Sequence, residues 1–150
     1  MNATQLLNKV FTSNRYKNAK AYVLCRETDP ETQRSWIRAL KRAGMYVKSS
    51  DDLLPGQDWE LEVETWMRDA DFVFALFDEK SATAESWFHK FVRIATDLHS
   101  YKPEGIIKLI PVRLDEGALQ SRYQFVWLDA WDKKSIEKLE KSLARVLAQK

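Results

Sequence analysis

The sequence predicts an α/β domain in which a five-stranded parallel sheet carries helices on both faces. Three observations point there. Short apolar runs alternate with amphipathic stretches through most of the 150 residues. The runs are apolar throughout instead of alternating with polar residues, which marks strands buried on both sides. Five such runs in a chain the size of one domain suit the flavodoxin-like doubly wound order 2-1-3-4-5. In that winding ligands bind at the carboxyl ends of the strands, at the switch point between the first and third.

Residues 1–18 read as an N-terminal arm or short helix, with Leu6, Leu7, Val10 and Phe11 on one side, and residues 19–150 as the domain. "AYVLC" (21–25) is the first strand. Asp29 then precedes Pro30 as an N-cap precedes a proline at the first helical position. Trp36, Ile37, Leu40 and Ala43 follow at helical spacing, and Gly44 is the expected stop. "MYV" (45–47) is the second strand. Pro55-Gly56 marks a turn, and Asp58 caps a helix with an apolar stripe of Trp59, Val63, Trp66, Met67 and Ala70. "DFVFALF" (71–77) is the third strand, and the helix carrying "ESWFHKFVRIA" (85–95) follows, ending at "KPEG" (102–105). "IIKLIPVRL" (106–114) is the fourth strand, with Pro111 expected at a twist or near its end. "FVWLD" (125–129) is a short fifth, and a helix from about 133 to 148 closes the chain, with Ile136, Leu139, Leu143, Val146 and Leu147 facing the core.

Composition narrows function. Lys and Arg number 24 and Asp and Glu 22, for a net charge of +2. The balance argues against a nucleic-acid partner, which calls for a concentrated basic face. No run reaches the ~18 apolar residues of a membrane span, and no apolar leader opens the chain, so a cytoplasmic setting is expected. A single cysteine, Cys25 in an apolar strand, reads as a buried inert thiol. One cysteine and two histidines make a metal site unexpected, and no cofactor is required. His89 falls off the Trp87–Phe91 stripe and is expected in solvent. His99 is expected at a helix C-terminus near the negative dipole end. Glycine-rich phosphate loops and nucleophile elbows are absent from the sequence.

Residues 20–130 resemble the Toll/interleukin-1 receptor (TIR) domain family, bacterial type. The most specific element is "LLPGQDWELEV" (53–63), a Pro-Gly loop after the second strand with Asp-Trp opening the next helix. "RDADFVFALFDEKS" and "KLIPVRLDE" look like the third and fourth strands. The first strand departs from the family, keeping the apolar run but not the serine that often ends it. The resemblance implies an immune-signalling module, with anti-phage defence as a common bacterial setting. It also implies assembly with other TIR-like domains or with itself through residues 53–60. In that loop Leu53, Leu54, Pro55, Gly56, Asp58 and Trp59 are the contact candidates. Adjacent leucines in a loop need somewhere to go, which favours contact.

Members that cleave NAD resemble a Trp-x-x-x-Glu arrangement on the helix after the third strand. Trp87 matches the tryptophan, and Phe91 stands where the glutamate is expected. A carboxylate there stabilises an oxocarbenium-like ribose; phenylalanine offers neither charge nor acceptor. Its loss costs ~100-fold or more in rate. Phe91 equally belongs to a packing stripe with Trp87, Phe88, Ala95 and Leu98. Glu85 and Glu27 are candidate substitutes for a relocated carboxylate. As a nucleotide pocket without chemistry, the crevice would draw on Arg26, Glu27, Asp29, Trp87 and Phe91. Trp87 would stack and Arg26 would meet phosphate, with NAD as ligand or substrate.

Overall fold

A computed structural model of the chain describes residues 16–25, 30–78, 87–101, 108–115, 128–130 and 132–148. Five parallel strands form one sheet: β1 (Lys20–Cys25), β2 (Tyr46–Lys48), β3 (Phe72–Phe77), β4 (Leu109–Arg113) and β5 (Leu128–Asp129). Their order is 2-1-3-4-5, as the apolar runs predict. Among the described residues, four helices connect or follow them: α1 (Pro30–Arg42), α2 (Trp59–Asp69), α3 (Trp87–Ser100) and α4 (Lys133–Leu147). A 3-10 turn at Ser50–Asp52 follows β2.

Strand alternation builds two cores from one sheet. Val23, Phe72, Phe74, Ile110, Val112 and Leu128 face α1 and α4, meeting Trp36 and Leu40 from one and Ile136 and Leu143 from the other. The intervening residues Tyr22, Leu24, Val73, Ala75 and Phe77 face α2 and α3, meeting Val63, Met67, Phe88, Phe91 and Val92. Every residue of β3 is buried, as suits the central strand of the sheet.

The helix ends follow their sequence signals. Gly44 adopts φ +98°, its N–H donates to the Lys41 carbonyl at 3.0 Å, and the Met45 N–H reaches the Leu40 carbonyl at 3.2 Å. That pair closes α1 as a Schellman motif. Asp58 caps α2 by accepting from the Leu61 N–H at 3.2 Å.

Two expectations change, and a third, for His99, is borne out in place. Pro111 sits inside β4, opposite Ala75, not at its end. Lys108 and Leu114 exchange hydrogen bonds with β3, so Pro111, of opposite parity, turns its missing N–H toward the β5 side. The described pairing there begins one residue later, at Val112 with Leu128, so the ladder loses no described bond. His89 is buried, not solvated, with its ring 5.5 Å from that of Phe88. It lies three residues before Val92 and shares that flank, which the core covers. His99 does stand in the last turn of α3, but as an acceptor. Its Nδ1 receives the Leu109 N–H at 3.1 Å and the Lys108 N–H at 3.4 Å, joining α3 to the start of β4.

Cys25 is buried as expected. Of the arm, residues 1–15 lie outside the described residues. Tyr16 is buried against the first core, and its N–H donates to the Ala43 carbonyl at 2.9 Å.

Candidate functional site

Parallel strands deliver their carboxyl ends to one edge, and the first turns of α2 and α3 start there. Three rings meet at those turns. Trp59 opens α2, Trp87 opens α3, and Phe91 lies one turn into α3. Their centroids form a triangle: 6.1 Å between the tryptophans, 5.6 Å from Trp59 to Phe91 and 6.0 Å from Trp87 to Phe91. All three contacts are edge-to-face, the favoured geometry for aromatic pairs. Phe91 has no exposed surface, Trp87 is half-buried and Trp59 is 43% exposed. The packing stripe read from the sequence is therefore real, and Val92 and Ala95 extend it into the second core.

Phe91 thus replaces any carboxylate at its position with a ring enclosed by rings. A charge buried there would lose its hydration, and the described ring neighbours Trp59 and Trp87 offer it no counter-charge. Close by, Glu60 Oε2 pairs with Lys90 Nζ at 2.9 Å, bridging the first turns of α2 and α3. Sequence reading missed Glu60, because a cross-helix pair thirty residues apart leaves no local signal. Of the other sequence candidates, Arg26, Glu27, Asp29 and Glu85 lie outside the described residues.

The loop before α2 is built from local hydrogen bonds. Ser49 and Asp52 form a capping box on the 3-10 turn: the Ser49 N–H donates to Asp52 Oδ2 at 2.9 Å, and the Asp51 N–H to Ser49 Oγ at 3.3 Å. Leu54 and Gln57 are stapled twice, Leu54 N–H to Gln57 Oε1 at 2.8 Å and Gln57 N–H to the Leu54 carbonyl at 3.1 Å. Gly56 adopts φ +90°, the left-handed region that favours glycine. Tyr22 lies beneath the loop on β1. Burial, reinforced by the Asp52 carboxylate, pushes its hydroxyl well above the ordinary tyrosine range, so it stays a neutral phenol.

The two leucines part company. Leu53 is half-buried and packs on the second core, so it serves the loop's own fold. Leu54 is 65% exposed. Pro55, Gly56 and Asp58 are exposed too, and the partly exposed Trp59 and exposed Leu61 continue the apolar surface along the first turn of α2.

At the far side of the same edge, Arg113 Nε donates to Asp129 Oδ1 at 2.6 Å, locking β4 to β5. No helix among the described residues is long and apolar enough to cross a membrane. No group of three or more metal-binding side chains occurs among the described residues.

Comparison with family models matches residues 22–147 to the TIR domain. No curated protein matches the chain.

Proposed function

Since the chain belongs to the TIR domain family, we propose that it is an immune-defence signalling module that works by assembly and cleaves NAD poorly or not at all. Loop 53–60 is the assembly surface, and other TIR-like domains or further copies of this chain are the partners. One observation carries the reading: a loop stapled from within presents Leu54 and Trp59 outward, while the ring of Phe91 fills the adjoining position. A preorganised apolar surface loses little entropy on docking, which suits a contact role. A buried ring without acceptor or charge does not suit stabilising a cationic ribose. Defence against phage is the setting that family membership suggests.

Two measurements test the proposal. Light scattering of the chain at rising concentration, alone and with its partner, reports assembly. A chain that stays monomeric throughout removes the role given to the loop. Incubation with NAD, following nicotinamide release, reports chemistry. Clear turnover, lost in Glu85→Ala or Glu27→Ala, would replace non-catalytic assembly with cleavage by a relocated carboxylate. NAD binding without turnover would favour a nucleotide sensor.

A further inference from the structure

The near-neutral net charge conceals two unlike faces. Helices α1 and α4 cover the same face of the sheet, and together they carry nine Lys and Arg against three Glu. Helices α2 and α3 cover the other, with five Asp and Glu against three Lys and Arg. The balance of the whole chain is a sum over opposite surfaces.

On α1, Arg34, Arg38 and Lys41 recur at the spacing of one helical stripe, with Arg42 beside them, and all four are exposed. On α4, Lys134, Lys138, Lys141 and Arg145 form a second exposed stripe. Four residues of helix rise about 6 Å, so each stripe is a row of cations at roughly that interval. Two of the three acids on these helices make only weak pairs, and nine cations still outnumber them. Glu31 lies 3.6 Å from Arg38 and Glu137 lies 3.9 Å from Lys133, both exposed pairs of the weak kind.

The described surface of this face is cationic and carries no large exposed apolar residue, which favours one kind of partner. The exposed large apolar residues among those described are Tyr46, Leu54, Trp59, Leu61 and Tyr101, none of them on α1 or α4. A protein interface needs apolar or aromatic anchors at its centre. A helix lying on a membrane needs an apolar side to insert. A phosphate backbone needs only cations at the right spacing, because releasing its counterions drives binding.

We propose that the outer surface of α1 and α4 binds the phosphodiester backbone of a nucleic acid without reading its sequence. The site lies across the sheet from α2, so it works independently of docking through loop 53–60.

Labelled duplexes of about 20 base pairs, one DNA and one RNA, and a single strand are titrated with the full chain at several salt concentrations. The expected result is binding at low salt with a log–log salt slope of about −3 to −5. The three arms report which form of the backbone fits best. The triple variant Arg38→Glu, Lys138→Glu, Lys141→Glu should weaken binding by at least about tenfold. Lys138→Gln and Lys141→Gln, milder changes at exposed sites, should each reduce the slope by about 1. Arg93→Glu, on the opposite face, should change affinity by less than about twofold. Thermal melting confirms that each variant is folded. No binding at low salt by the folded wild-type chain overturns the proposal, as does binding that survives the triple variant. Equal affinity for phosphatidylserine vesicles overturns it in favour of an anionic membrane. Salt-sensitive self-association lost in the triple variant, without nucleic-acid binding, overturns it in favour of an acidic protein face.

Discussion

The Trp59 indole and the Phe91 ring meet edge to face, their centroids 5.6 Å apart and their planes at 66°. One residue ends the exposed loop and the other is fully buried in α3. The contact therefore ties the proposed docking surface to the position where the family resemblance places a carboxylate. Truncation should loosen both. Phe91→Ala is expected to cost about 3–5 kcal/mol, read by urea denaturation, with Phe91→Leu retaining much of the loss.

Phe91→Glu tests the same position chemically. A carboxylate enclosed by Trp59 and Trp87 resists ionisation, which raises its folded pKa above the ordinary ~4.3. The variant's deficit should be largest at neutral pH, where the unfolded chain carries the charge. It should shrink as pH falls through the unfolded value, its pH-dependent part vanishing by about pH 3, where both states are protonated. Denaturation at several pH values checks the sign. Gain of nicotinamide release would show that the remainder of an NAD site is intact, and a deficit independent of pH would mean that the side chain has swung into solvent.

Leu54 is exposed and Leu53 is packed, so adjacent substitutions should separate assembly from stability. Leu54→Glu is expected to change stability by no more than about 0.5 kcal/mol while weakening self-association or partner binding tenfold or more, about 1.4 kcal/mol. Leu53→Ala should lower the melting temperature instead. Light scattering and thermal melts on the two variants distinguish these outcomes.

Gly56 meets no neighbour where a Cβ would stand, so any cost of substitution is conformational. Gly56→Ala should lose about 1–2 kcal/mol from the left-handed backbone alone, and Gly56→Asn less. Equal losses in the two would point to a steric cause instead.

His99 supplies an acceptor to two backbone N–H groups at the start of β4. His99→Ala leaves them without it and is expected to cost about 1–3 kcal/mol in urea unfolding. His99→Gln, which keeps an acceptor on a longer arm, should recover part of the loss.

Most of the architecture is legible because it is periodic. Apolar runs predict β1 and β3 to within a residue, and Asp58 and Gly44 mark helix ends through hydrogen bonds that each makes locally. His89 was misread because helical periodicity names the most buried face and leaves its flanks undecided. Pro111 was misplaced because its tolerance depends on parity within the ladder and on where β5 begins, and no local pattern contains either. At the candidate site, Trp87 and Phe91 were readable as one stripe. Trp59 closing over them, and Glu60 pairing with Lys90, required α2 and α3 to be brought side by side.

The sequence by itself determined the winding, the family resemblance and the aromatic at position 91, since each is written in residue type and spacing. Tertiary structure alone decided that Leu53 turns inward while Leu54 stays out, and that Phe91 is enclosed by two tryptophans. It also decided that a chain of net charge +2 places its basic helices on one face of the sheet. The physical reason is common to all three: each depends on which distant elements become neighbours, and burial and electrostatic potential belong to that arrangement.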